Sequence, residues 1–146
     1  MIRVTMMLCD AAQAVEGKLY ILGGGWSVVG PAAMPMAIAI KLEIPWDQAN
    51  RPCSWRLSLV DADGHAVFLP TPDGSQQVML EGQFEVGRPA GLPPGTPLDL
   101  PMVINIAPLP LRPGTRFEWL LDIDGNHLED WRAGFSTRAA PPTEGI

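Results

Sequence analysis

Apolar and polar residues alternate one by one through segment after segment of this chain, and a period of two is the mark of a strand with one wet and one dry face. Ile2, Val4, Met6 and Leu8 alternate with Arg3, Thr5 and Met7, and Met36, Ile38, Ile40, Leu42 and Ile44 with Ala37, Ala39, Lys41 and Glu43. Val78, Leu80, Phe84 and Val86 oppose Gln77, Glu81, Gln83 and Glu85, and Leu98, Leu100, Met102, Ile104 and Ile106 oppose Asp99, Pro101 and Asn105. Phe117, Trp119, Leu121 and Ile123 oppose Arg116, Glu118 and Asp122, and a last segment sets Trp131, Ala133 and Phe135 against Arg132, Ser136 and Arg138. No segment sustains a helical apolar spacing for three turns. Sixteen prolines and fifteen glycines interrupt most windows long enough to hold one.

The punctuation fits strands joined by tight turns. Glu16-Gly17, Asp63-Gly64, Asp73-Gly74 and Asp124-Gly125 are dipeptides that supply the positive φ angles of hairpins. The pattern predicts about nine strands, near 2–9, 17–25, 34–44, 53–61, 65–69, 77–87, 98–107, 115–123 and 127–137. One wet face per strand is the habit of antiparallel sheets packed face to face. The fold class read from the sequence is therefore all-β: a two-sheet antiparallel β-sandwich with immunoglobulin-like or jelly-roll Greek-key connections. Residues 1–138 form its single domain, and 139–146 a loosely ordered tail. Pro101 inside a strand calls for a sheet edge or a bulge.

Composition removes several functions. The net charge is −6, with ten basic residues scattered among sixteen acids. Phosphate backbones and anionic membranes require clustered Lys and Arg, so no nucleic acid and no membrane partner is expected. No 18-residue apolar run exists to cross a bilayer. Met6-Met7-Leu8-Cys9 superficially resembles a lipoprotein cleavage site, but eight residues with one Arg cannot hold both a charged and an apolar leader region. The expected location is cytoplasmic. Cys53 shares the parity of Leu57 and Leu59, whereas Cys9 opposes Leu8; opposed faces do not bridge easily, so both are read as reduced thiols.

Candidate chemistry is sparse. Gly23-Gly24-Gly25 runs into Trp26-Ser27-Val28-Val29, which is no helix, so the phosphate-cradling geometry is missing and a strand bend or close backbone approach is expected. Asp61-Ala62-Asp63-Gly64-His65 and Asp122-Ile123-Asp124-Gly125-Asn126-His127 hold both histidines. A calcium loop would need a Glu at its twelfth position, where these have Pro72 and Ala133. They read as hairpin turns; a metal site from His65, His127, Asp63 and Asp124 would need the two turns at one end of the molecule. No Ser lies in a nucleophile elbow, and no cofactor is implied. Trp26 and Trp46, the latter followed by Asp47, lie outside clear strands and are the candidate contacts for a ligand or partner, since loop tryptophans serve as sugar platforms or protein hot spots. Met7 and Met79, on the polar parity of their strands, hint at a covered sheet face.

Cys9-Asp10-Ala11-Ala12 and Glu16-Gly17-Lys18-Leu19-Tyr20-Ile21-Leu22-Gly23-Gly24-Gly25-Trp26 resemble an uncharacterised family of small bacterial β-rich proteins. Leu111-Arg112-Pro113-Gly114-Thr115-Arg116-Phe117 and Leu121-Asp122-Ile123-Asp124-Gly125 look like the closing hairpin of that family. The resemblance implies a bacterial cytoplasmic setting and supplies no site residues. The function expected from the sequence is a non-catalytic protein-interaction or structural module, with a second copy of itself among its partners. The alternative is a small-ligand or carbohydrate-binding module using the loop tryptophans, and the third reading a metal-dependent enzyme.

Overall fold

The computed structural model describes residues 1–141, and in it the chain is all-β with no α-helix among those residues. Eleven strands appear: β1 (Arg3–Val15), β2 (Lys18–Gly24), β3 (Val28–Val29), β4 (Met36–Ile44), β5 (Cys53–Asp61), β6 (Phe68–Thr71), β7 (Gly74–Gln77), β8 (Met79–Phe84), β9 (Leu98–Ile106), β10 (Arg116–Ile123) and β11 (Arg132–Thr137). One sheet runs β2-β1-β4-β9, antiparallel throughout. A second runs β3-β11-β10-β5-β8, antiparallel except for the short parallel pairing of β3 with β11. Strands β6 and β7 form a separate two-stranded hairpin.

The alternation read from the sequence sorts the side chains. One hydrophobic cluster takes Ile38, Ile40 and Leu42 from β4 of the first sheet and Leu57, Leu59, Trp119, Leu121 and Phe135 from the second. The rings of Phe117 and Phe135, directly paired between β10 and β11, stack at 5.7 Å. Fully burying an aliphatic side chain of this size contributes about 1.5–3 kcal/mol, so this shared cluster is the main reason the two sheets stay together. Strand β9 is an edge, which accommodates Pro101: its missing N–H costs no ladder bond on the free side.

Eleven strands replace the expected nine, and the differences have physical causes. Strand β1 continues to Val15 because Ala11–Val15 pair with Leu22–Lys18 of β2. Alanines and valines there give no alternation to read. The strand expected at 65–69 begins instead at Phe68 and turns back at Pro72-Asp73, with Thr71 opposite Gly74. Phe68 is exposed and only Leu69 of β6 packs on the core, so the hairpin is too short for its alternation to announce it. The segment expected at 127–137 enters its sheet only at Arg132, after a turn in which the Trp131 N–H donates to Leu128. Of the expected tail, Ala139–Pro141 are exposed and outside any strand, and the rest lies outside the described residues.

Cys9 and Cys53 are free and buried in different places. Cys53 belongs to the main core, whereas Cys9 lies on the opposite face of the first sheet with Ala12, Ala37 and Ala39. The opposed parities keep the thiols apart.

Candidate interaction surface

The face of the first sheet that turns away from the core is lined by small side chains at its centre. Cys9, Ala37 and Ala39 there are almost fully buried, which requires a cover. The cover is the far half of the β1–β2 hairpin. Beyond Cys9, strand β1 leaves β4 and pairs with β2 alone, and Ala12 and Leu19 of this arm pack on Cys9, Ala37, Ala39 and Val103. Its tip turns at Glu16-Gly17, where both residues have positive φ (50° and 74°), as a two-residue hairpin turn requires.

The glycine run sets the bend at the arm's base. Gly23 has φ 59°, and the Asp10 side chain lies across its Cα where any Cβ would collide with the carboxylate. Asp10 in turn accepts a hydrogen bond from Trp26 Nε1 at 3.0 Å. Gly24 sits under the Met7 sulfur and the Ile21 side chain, and the Gly25 N–H donates to the Leu8 carbonyl at 2.8 Å. The run is thus a bend with close side-chain approach and not an anion cradle. Trp26, half-buried against the core, lines an open cleft of about 430 Å³ with Asp10, Val28, Met34, Pro35 and Arg138.

With Leu19 turned toward the sheet, the rest of β2 faces water. Tyr20 is 56% exposed, Ile21 39% and Leu22 71%, on a strand whose outer edge pairs with nothing among the described residues. Three consecutive large apolar side chains on a free edge are what soluble proteins normally avoid.

Trp46 is placed differently. It opens a single 3-10 turn, Trp46–Gln48, and packs half-buried against the core. The Arg88 guanidinium lies 4.6 Å from the ring centre and donates twice to the Trp46 carbonyl, at 3.1 and 2.7 Å. The ring face that Arg88 covers is closed to a stacked sugar. Asp47 is exposed beside it, on the rim of an open cleft that also includes Arg3 and Glu43.

The two Asp-Gly turns are not brought together. Asp61, Asp63 and His65 offer ligand atoms within 4.8 Å of one another at the end of β5. Asp61 is engaged there as a turn former, its Oδ1 accepting the N–H groups of Asp63 (2.9 Å) and His65 (3.0 Å). Asp124 belongs to the opposite end of β5, where its carboxylate accepts the Ser54 N–H and its own N–H donates to Ser54, each at 2.8 Å. Ser54 and Asp61 are separated by seven strand residues, about 23 Å at the usual rise. A joint site of His65, Asp63, His127 and Asp124 is therefore overturned by the length of β5. His127 Nδ1 lies 2.7 Å from the Leu121 carbonyl, an acceptor only, so that nitrogen holds the proton and is committed to its own hairpin.

Residues 4–132 match the model of DUF6941, a family of unknown function. The chain belongs to that family. The DUF6941 match spans the arm, Trp46 and both Asp-Gly turns. No curated protein and no solved structure matches the chain.

The residues that build the arm, Asp10, Tyr20, Leu22 and Gly23, were not singled out as a contact surface by sequence reasoning, which favoured tryptophans. A signal was present. Leu19-Tyr20-Ile21-Leu22 is an unbroken apolar run inside a strand, and such a run means that both faces want cover.

Proposed function

We propose that this DUF6941 chain is a non-catalytic protein-interaction module whose contact surface is the β1–β2 arm. The observation that carries the reading is the exposure of Tyr20, Ile21 and Leu22 on a strand edge with no neighbour among the described residues. An edge strand offers a partner a ready backbone ladder, and exposed apolar side chains add burial to it. Asp10 and Trp26 brace the base of this arm, which makes the sequence-predicted Trp26 a neighbour of the surface. The carbohydrate reading loses support at Trp46, where Arg88 occupies a ring face. The metal-enzyme reading loses its four-residue set.

We read the two larger sheets as layers of a sandwich with immunoglobulin-like connections. Support comes from the order β1-β4-β9 against β11-β10-β5-β8, in which β4 to β5, β8 to β9 and β9 to β10 each change sheets. Fold alone assigns no function, so this adds only that such frames carry recognition on edges and loops. A cytoplasmic setting accords with the two free thiols.

A photo-crosslinking residue at position 22 tests the surface, with position 99 on the β9 edge as control. The reading expects discrete protein adducts in cells from position 22 and none from 99. Equal adduct patterns from both positions sink it.

A further inference from the structure

Building on the arm as the contact surface, we infer that its partner is a second copy of this chain, joined by antiparallel pairing of β2 with β2 across a two-fold axis. The argument starts from the other free edges. Strand β9 carries Pro101 and Asp99, and β8 carries Glu81 and Gln83; charges and proline are the usual means of blocking edge-to-edge association. Strand β2 carries Lys18 at its first residue and neither charge nor proline from Leu19 to Gly24. It is the one edge of the first two sheets, among the described residues, that is both longer than two residues and unblocked through its centre.

Symmetry then restricts the register. Two copies of one edge strand pair about an axis perpendicular to the sheet, and opposite residues must share a face, so one residue has to oppose itself. Centring on Leu22 would set Tyr20 against Gly24, and centring on Tyr20 would set Lys18 against Leu22. Centring on Ile21 sets Tyr20 of each copy against Leu22 of the other, an aromatic–aliphatic pair made twice. It also sets Lys18 of each copy opposite Gly24 of its partner, on the face of Tyr20 and Leu22, so no like charges meet across the seam. The strand is therefore complementary to itself in shape, with the regular ladder centred on Ile21 and ending where Gly23 bends the chain.

The test uses the full chain. Sedimentation velocity from low micromolar to several hundred micromolar should show a species of 15.8 kDa giving way to one of twice that mass. Leu22→Lys should weaken the dimer on the order of tenfold or more, with an unchanged melting profile because Leu22 is 71% exposed. The register has its own readout. Ile21→Cys places two thiols directly opposite, at the Cα separation of about 4.5–5.5 Å that a disulfide accepts. Under mild oxidation with oxidised glutathione it should form a cross-linked dimer several-fold faster than Leu22→Cys, whose two copies lie diagonally apart. Cys9 and Cys53 are buried and do not compete. A monomer at every concentration, a dimer indifferent to Leu22→Lys, or equal cross-linking at 21 and 22 overturns the proposal. A monomer that still gives protein adducts from position 22 refutes self-pairing alone; a monomer without adducts refutes the arm as a contact surface as well.

Discussion

Replacing Gly23 by alanine imposes two costs that can be separated by removing one neighbour. Gly23 has φ 59°, a conformation that costs a residue with a Cβ about 1–2 kcal/mol. The new Cβ would also sit 2.7 Å from Asp10 Cγ, closer than real contacts allow, so the carboxylate must leave Gly23 and with it Trp26 Nε1. Losing that hydrogen bond at an exposed site costs about 0.5–1.5 kcal/mol. Gly23→Ala should therefore destabilise the wild type by about 2–3 kcal/mol, and the Asp10→Ala variant by only about 1–2 kcal/mol. The coupling of about 1 kcal/mol is read from a double-mutant cycle of urea midpoints, followed by tryptophan fluorescence. If Gly23→Ala costs the same in both backgrounds, Asp10 does not lie across Gly23 and the account of the arm's base is wrong.

Thr137, the one buried polar residue among the described residues, donates its hydroxyl to the Arg112 carbonyl (2.7 Å) and accepts the Thr115 N–H (3.0 Å). Thr137→Val keeps the shape and strands both groups, so thermal unfolding should report a loss of about 1–3 kcal/mol, with Thr137→Ser close to wild type. Arg88→Ala removes the stacked cation and both bonds to the Trp46 carbonyl; a loss of about 1–2 kcal/mol in urea is expected, with little recovery in Arg88→Lys because an ammonium cannot reproduce the planar fork. Burial raises both thiols above their ordinary range near 9.0, aided at Cys9 by Asp10 and at Cys53 by Asp124. The unfolded chain then releases those protons first, so their contribution to stability is full below that range and declines as pH rises through it; urea midpoints measured from about pH 7 to about pH 10 should fall, less steeply in a Cys9→Ala, Cys53→Ala variant.

Much of the core was legible because alternation depends only on which face a strand buries. Ile38, Ile40, Leu42, Leu57, Trp119 and Phe135 lie where their parity put them. The arm was not legible for the same reason. Ala11–Val15 and Leu19–Leu22 do not alternate, since the side of the hairpin that faces water carries large apolar residues, Tyr20 and Leu22, as well as the side that packs through Ala12 and Leu19. Gly23-Gly24-Gly25 was readable as a bend, but its purpose depends on Asp10, thirteen residues away in sequence and adjacent only once β1 and β2 have paired. The relation between the two Asp-Gly turns was likewise a matter of distance. Each turn is plain in the sequence, while their separation is the length of β5, which no local pattern encodes.

The most direct test of the arm as a pairing edge is hydrogen–deuterium exchange of residues 18–24 at low and high protein concentration. The account predicts that the outward-facing amides of β2 exchange fast in dilute protein and become protected as concentration rises, while β9 amides do not change. Exchange in β2 that is independent of concentration, or protection that rises equally in β9, would contradict it.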